Sequence, residues 1–167
     1  MQNPWSVFTD GSALPNPGRM GLGAVLMAPD GAQHTLSQMP PGTGCNNEAE
    51  LRALSLALQD LKARGATDVL ACSDNSVLVD QLGRTGALPI ARLAALFEEA
   101  RMLLTSFERI SLVWVPRHRN GEADALARAA LGMAPKRDAK RAKGRRSARP
   151  QARQQPGGGS VEPGHVA

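Results

Sequence analysis

Four acidic residues, each set in a different apolar segment, most constrain how this chain can fold. They are Asp10, Glu50, Asp74 and Asp124. An isolated carboxylate among buried neighbours is costly unless it is protonated, paired or bound to a cation. Four of them brought together from distant elements would make an oxygen-lined pocket suited to hard divalent metals. The alternative is that each acid separately caps the turn or helix that follows it, or contacts a helix dipole.

The sequence pattern predicts an α/β protein with a mixed sheet. Three apolar runs separated by turns that contain Pro or Gly predict three consecutive antiparallel strands. Leucines spaced by three and four residues predict a long helix, which Asn46 or Asn47 can cap and Gly65 ends. Hairpins followed by β-α-β crossovers place helices on the faces of a mixed sheet. The predicted strands are 6–10, 21–28, 33–39, 68–73 and 110–115, and the predicted helices are 48–64, 76–82, 89–105 and 122–131.

Two parts of the chain differ in composition and charge. Residues 1–133 carry the apolar pattern and are expected to form one domain. Residues 134–167 are rich in Lys and Arg and then in Pro, Gln and Gly, so we expect a disordered tail. Nine basic and two acidic residues give 133–167 a charge of +7, whereas residues 1–132 carry −2. This asymmetry indicates a nucleic-acid partner that the basic tail contacts.

The apolar segments and the cysteines argue against membrane, secreted and zinc-binding classes. No apolar run reaches the roughly 18 residues needed to cross a bilayer, and no signal peptide is evident at the N-terminus. Cys45 and Cys72 are too few and too far apart for a CxxC redox pair or a zinc site, so we expect buried, reduced thiols. We expect a cytoplasmic protein that acts as a monomer.

Six short motifs follow one another along the chain, and most of them contain one of the four acids. They are Phe8-Thr9-Asp10-Gly11-Ser12, Asn16-Pro17-Gly18, Asn46-Asn47-Glu48-Ala49-Glu50-Leu51, Ser73-Asp74, Trp114-Val115-Pro116-Arg117-His118 and Ala123-Asp124-Ala125-Leu126-Ala127. Together they resemble the type 1 ribonuclease H family over about residues 5–132. The resemblance implies a five-stranded mixed sheet, three antiparallel strands then two parallel ones, flanked by helices. It also implies metal-dependent hydrolysis of the RNA strand of RNA–DNA hybrids, which removes hybrids and RNA primers.

The four acids fall on the family's metal-site carboxylates. Hydrolysis of a phosphodiester needs an activated water and charge stabilisation on the leaving 3′ oxygen, which two Mg²⁺ ions roughly 3.5–4 Å apart supply. The resemblance implies that Asp10 bridges the two ions, that Glu50 and Asp74 hold the leaving-group ion, and that Asp124 holds the water-activating ion. Mn²⁺ is an alternative metal. Glu48 projects in a different direction from Glu50 and is expected in solvent.

A loop histidine is the fifth catalytic candidate. His118 falls on the family's loop histidine, which the resemblance links to proton transfer or product departure, work that suits a neutral imidazole. Five residues separate His118 from Asp124, a shorter loop than in the best-known bacterial members. Arg117 replaces a small residue common at this place, and Arg117 or Arg119 could contact phosphate instead. Each of the three could also be a surface residue without a role.

Five further residues are expected to bind the substrate. Selectivity for RNA needs groups that read the 2′-hydroxyl, and the resemblance assigns this to the backbone near Gly11 and Ser12 and to the side chains of Asn46 or Asn47. An amide suits a hydroxyl because it both donates and accepts. Asn16 and Asn47 could also approach a phosphate of the DNA strand. One residue of the Asn46–Asn47 pair could serve only as a helix cap.

The chain lacks one feature of many bacterial members, a basic, Trp-containing handle between Asp74 and Ile110 that grips the hybrid. We expect the basic tail to supply part of that affinity, although it could serve only solubility. Two other functions remain open: a non-catalytic RNA- or hybrid-binding module, and a nuclease of the same superfamily that acts on DNA. Intact acids at all four positions disfavour the binding module, because clustered negative charge repels phosphates.

Overall fold

A mixed β-sheet lies at the centre of this computed structural model, which describes residues 3–83 and 90–136. The strand order is β3-β2-β1-β5-β6, and a short strand β4 pairs with β2. Strands β1 to β3 are antiparallel neighbours, whereas β5 runs parallel to β1 and β6 parallel to β5. The predicted mixed sheet is thus confirmed, with β4 as an addition. The strands are β1 (Trp5–Leu14), β2 (Gly18–Met27), β3 (Gln33–Gln38), β4 (Thr43–Gly44), β5 (Asp68–Ser73) and β6 (Arg109–Trp114).

Within residues 3–83 and 90–136, four helices accompany the sheet, close to the predicted positions. Leucines of the predicted apolar stripe, among them Leu51, Leu54 and Leu58, are fully buried against the sheet. The third helix was predicted to start at residue 89; in the structure a single 3-10 turn at Ala91–Leu93 leads into it. The helices are α1 (Asn46–Ala63), α2 (Ser76–Gly83), α3 (Ala94–Thr105) and α4 (Gly121–Ala130).

The expected capping of α1 by an asparagine is wrong. The helix begins at Asn46, so the cap is Cys45, whose Sγ accepts a hydrogen bond from Glu48 N at 3.4 Å. The Asn46 and Asn47 side chains lie within the first turn and bond elsewhere. The expectation of two buried thiols also holds only in part, because Cys72 is buried and Cys45 is half-buried.

Helices α1 and α4 pack on opposite faces of the sheet. A Cβ built on Gly11 of β1 would meet the backbone of α1, whereas one on Gly23 of β2 would meet the backbone of α4. Gly11 lies opposite Leu22, the neighbour of Gly23, and successive residues of a strand point to opposite faces. The main apolar core therefore fills the α1 and α3 side, while α4 covers β1, β2 and β3 from the other.

Strand β1 is longer than predicted. It continues past Asp10 to Leu14, because its antiparallel pairing with β2 extends to the Leu14–Arg19 pair. The parallel pairing with β5 stops at the pair Thr9–Ser73. Asp10 therefore lies where the parallel ladder ends, and not at the end of its own strand.

Some predictions concern residues that the structure does not describe. The tail expected over 134–167 lies outside the described residues from 137 onward, and 84–89 lie outside them as well. Within the described part, no helix is both long enough and apolar enough to span a membrane.

Candidate active site

Asp10 and Asp74 meet where β1 and β5 cease to pair. The parallel register pairs Thr9 with Ser73, so the next residue along each of the two segments is an acid, Asp10 or Asp74. Asp10 is only 5% exposed. The Trp114 indole Nε1 donates to the carbonyl oxygen of Asp74 at 3.2 Å and fixes the backbone there. The topology of the sheet thus brings together two carboxylates that are distant in sequence.

Glu50 reaches the same point because α1 lies directly against β1. A Cβ on Gly11 would overlap the α1 backbone beside Glu50, so the close approach of this helix requires glycine. Glu50 is buried at 8% exposure. Glu48 instead pairs with Arg52 one helical turn away, at 2.9 Å between Oε1 and Nη2. The first turns of α1 therefore direct Glu50, and not Glu48, towards Asp10.

Asp124 comes to the site on the opposite helix. Gly23 lies across from Asp10 in the antiparallel register, and a Cβ on Gly23 would overlap the α4 backbone at Ala123. The absence of this side chain lets α4 rest directly on β2. Asp124 lies in the first turn of α4 and lines the same cavity as Asp10. The four acids named from the sequence therefore surround one cavity.

Three of these carboxylates form a compact cluster of oxygen atoms. Asp10, Glu50 and Asp74 each offer one oxygen, and these atoms lie within 4.8 Å of one another. Glu50 Oε2 is buried without a hydrogen-bond partner among the described residues, although buried polar atoms are normally paired. Hard divalent cations take all-oxygen donor sets of this kind. The residues present therefore fit a metal ion.

Burial and mutual repulsion keep protons on this cluster. Burial, together with the charge of Asp74, raises the pKa of Asp10 to about 7. Burial, together with the charge of Asp10, raises the pKa of Glu50 to about 10. A bound cation would favour the ionised forms, so binding of a metal must release protons. The arrangement is unfavourable for the bare carboxylates of Asp10 and Glu50 and favourable for carboxylates around a cation.

Two basic side chains contact the acids. Arg117 Nε lies 3.5 Å from Asp74 Oδ2, and Lys136 Nζ lies 2.6 Å from Asp124 Oδ1. Both residues line the cavity, whereas His118 is exposed and is not among its lining residues. The loop at 117–119 therefore presents its first arginine, and not its histidine, to the carboxylates.

Asn120 holds the Asp74 carboxylate in place and Asn75 holds Asn47, and neither asparagine was predicted from the sequence. Asn120 is 1% exposed, and its Nδ2 donates to Thr9 O at 2.9 Å and to Asp74 Oδ1 at 3.4 Å. Asn75 Nδ2 donates to Asn47 Oδ1 at 3.0 Å. Both asparagines precede a helix, so each appears in sequence as an ordinary cap. Asn75 directly follows the motif acid Asp74, whereas Asn120 stands between His118 and Asp124, and these positions are the signals that the sequence offers.

Four of the five expected substrate residues line the acidic cavity, which has a volume of about 420 Å³. These four are Gly11, Ser12, Asn46 and Asn47. Asn46 Oδ1 accepts from Ala13 N at 2.8 Å, which fixes the amide and turns its NH₂ group to other partners.

A second hollow, of about 440 Å³, lies beside the first and shares Asn46 and Asn47 with it. Asn16, the fifth expected substrate residue, lines this hollow together with Cys45 and Arg92. Arg92 Nη2 lies 3.1 Å from Cys45 Sγ, and Asn16 Oδ1 accepts from Asn46 N at 3.1 Å. Amides and a guanidinium thus converge there.

Comparison with known proteins matches this arrangement to one family. The family model described as "Reverse transcriptase-like" matches residues 8–130. The bifunctional protein Rv2228c of Mycobacterium tuberculosis is 35% identical over 129 residues, which cover 77% of this chain and 35% of that protein. This chain thus spans about a third of the length of that relative.

Two solved structures agree in fold over nearly their whole length. RNase H1 from Halobacterium salinarum superposes with a TM-score of 0.73 at 33% identity, covering 78% of this chain and 98% of that one. LC11-RNase H1 in complex with an RNA/DNA hybrid gives a TM-score of 0.68 at 29% identity, covering 77% of this chain and 96% of that one. With the family model matching residues 8–130 and a solved RNase H1 at 33% identity covered over 98% of its length, the chain belongs to the type 1 ribonuclease H family.

Proposed function

We propose that this protein is a metal-dependent endonuclease that hydrolyses the RNA strand of RNA–DNA hybrids, and so removes hybrids and RNA primers. The observation that carries the proposal is the convergence of four carboxylates, from β1, α1, the residue after β5 and α4, on one cavity, three of them with oxygens within 4.8 Å of one another. The structural relative LC11-RNase H1 was solved with such a hybrid. A protein that only bound nucleic acid would gain nothing from negative charge at this place.

Mg²⁺ is the proposed metal, with Mn²⁺ as a substitute. Two such ions would activate water and stabilise charge on the leaving oxygen when bound with substrate. Asp10 would supply ligand oxygens to both ions, Glu50 and Asp74 would complete the ligands of one, and Asp124 would hold the other. Asn120 keeps the Asp74 carboxylate in position through its Nδ2.

The amides beside the cluster would distinguish RNA from DNA. Asn46 and Asn47 line the acidic cavity with Gly11 and Ser12. Asn47 Oδ1 already accepts from Asn75, so its NH₂ group is the part that can donate to a ligand oxygen. A 2′-hydroxyl beside the scissile phosphate would meet these amides and the strand backbone, whereas deoxyribose would leave them without a partner.

The second hollow would hold a phosphate of the DNA strand. It shares Asn46 and Asn47 with the acidic cavity and adds Asn16 and Arg92. A guanidinium beside amide groups suits a phosphate. Asn47, which lines both hollows, would therefore link recognition of the two strands.

His118 is proposed to assist proton transfer or product departure after the loop has moved, since the residue is exposed and lies outside the cavity lining. Arg117, which reaches Asp74, would contact a phosphate oxygen in the substrate complex. Both side chains belong to the same three-residue turn, Arg117–Arg119, so movement of this turn would shift them together.

The basic tail is proposed to strengthen binding of the hybrid in place of the missing handle. Residues 137–167 hold eight Lys and Arg residues, and each phosphate contact contributes about 0.9 to the slope of log affinity against log salt. Removing 137–167 should lower that slope by several units, and an unchanged slope would contradict the proposal. We further propose that the enzyme acts as a monomer in the cytoplasm, where two free thiols stay reduced.

The test is incubation of the protein with end-labelled RNA–DNA hybrid, double-stranded RNA and double-stranded DNA of one sequence, with Mg²⁺ and with chelator. We expect cleavage of the RNA strand of the hybrid alone, and only with metal. Asp60→Asn, which alters a surface acid paired with Arg64, is the control for Asp74→Asn, which should abolish cleavage. Tight binding of the hybrid without cleavage would identify a binding module, and cleavage of double-stranded DNA a DNA-acting nuclease.

A further inference from the structure

A lysine from beyond the last helix holds one of the four carboxylates. Lys136 Nζ lies 2.6 Å from Asp124 Oδ1, a short, charge-assisted hydrogen bond. Lys136 also lines the acidic cavity with Asp10 and Asp74. The proposed function gives this ammonium group no task.

The chain after α4 folds back to deliver this ammonium. Gly132 has a φ of 71°, the left-handed conformation that ends many helices. Met133 N then donates to Arg128 O at 3.0 Å, and Arg128 Nε donates to Ala134 O at 3.1 Å. Because residues four apart lie on one face of a helix, the segment runs back past Arg128 towards Asp124. These hydrogen bonds fix the backbone that leads to Lys136 and so bring its side chain to Asp124.

The ammonium would compete with a metal ion for the Asp124 carboxylate. Oxygens of Asp10, Glu50 and Asp74 lie within 4.8 Å of one another, whereas Oδ1 of Asp124 is bonded to Lys136. A divalent ion at Asp124 would meet a positive charge within hydrogen-bond distance of its ligand, and the two cations repel each other.

We propose that Lys136 is a tethered cation that holds Asp124 until a divalent metal takes its place, and that it thereby raises the metal concentration at which the site fills. The inference rests on the metal-binding role of Asp124 in the proposed function. The Lys136 side chain is 56% exposed, and exposed pairs are weak, so the competition should cost about two- to fivefold in metal affinity.

The test is titration calorimetry of the full chain with Mn²⁺, without nucleic acid. Lys136→Met removes the charge and keeps a side chain of similar length, and it should bind Mn²⁺ about two- to fivefold more tightly than the wild type. Lys136→Arg, which keeps the charge, should stay within about twofold of the wild type. Lys62→Met removes a charge that contacts Ser106 O and the Phe107 ring instead, and it should leave the affinity unchanged.

A double-mutant cycle separates competition at Asp124 from a general effect of charge. In an Asp124→Asn background, Lys136→Met should change Mn²⁺ affinity by less than about 1.5-fold. Unchanged or weaker binding by the single variant, equal gains in both backgrounds, or no binding of Mn²⁺ to the wild type would overturn the inference. Tighter binding with no cleavage of a hybrid by any variant would contradict the proposed function and leave the inference standing.

Discussion

Replacing Asp10 with Asn should stabilise the metal-free protein, and the gain should grow with pH. Burial and the charge of Asp74 raise the pKa of Asp10 from 3.8 to about 7. Between these values the folded protein holds a proton that the unfolded chain has released. Stability therefore falls as pH rises through this window, by about 1.4 kcal/mol per pH unit at most. Asn carries no such proton, so the variant avoids this loss.

The magnitude follows from the same shift. From pH 5 to pH 8, ionisation of Asp10 would cost the wild type up to about 3 kcal/mol of unfolding free energy. Relaxation around the site and its partial hydration reduce this figure, so we expect a gain at pH 8 that exceeds the gain at pH 5 by about 1–3 kcal/mol.

The assay is urea unfolding of the wild type and Asp10→Asn in chelator at pH 5, 6, 7 and 8. Asp60→Asn is the matched control, because the Asp60 carboxylate pairs with Arg64 on the surface of α1. This variant should show no gain in unfolding free energy that grows with pH. Added Mg²⁺ should stabilise the wild type more than Asp10→Asn, because ligand binding favours the folded state. A difference between wild type and Asp10→Asn that stays constant from pH 5 to 8 would refute this electrostatic account.

Four further substitutions test other parts of the site. Asn120→Ala removes the hydrogen bonds to Thr9 and Asp74. It should lower the free energy of unfolding in urea by about 1–3 kcal/mol and lower kcat. An unchanged unfolding free energy would contradict the structural role of Asn120. Gly23→Ala places a Cβ against the α4 backbone. It should lower the free energy of unfolding by about 1–3 kcal/mol in the same measurement, whereas an unchanged unfolding free energy would show that α4 can move away. In steady-state kinetics on a hybrid, Arg117→Ala should raise KM severalfold while His118→Ala mainly lowers kcat, and the reverse pattern would exchange their proposed roles.

The sequence predicted the sheet and helices well because their signals are local. Alternating and 3.6-residue apolar patterns, with Gly65 and the Pro-containing turns, mark where elements begin and end. The motifs likewise named Asp10, Glu50, Asp74 and Asp124, whose convergence depends on two glycines, Gly11 and Gly23, that admit helices against the strands.

What the sequence could not predict depends on contacts between distant residues. Asn120 looks like a helix cap, and its bond to Thr9 joins residues 111 positions apart. Cys45 became the cap of α1 because the neighbouring asparagine amides bond to other elements. The sequence predicts Lys136 within a basic tail, whereas the chain reversal at Gly132 brings it to Asp124.

The proposed function requires the four carboxylates to form one metal-dependent site that hydrolyses RNA in a hybrid. The most direct measurement is analysis of the products from a hybrid labelled separately on each strand, with Mg²⁺ and with chelator. Attack by water with departure of the 3′ oxygen predicts fragments of the RNA strand alone, with 5′-phosphate and 3′-hydroxyl ends, and none in chelator. Fragments ending in 2′,3′-cyclic phosphate, fragments of the DNA strand, or cleavage that persists in chelator would contradict the account.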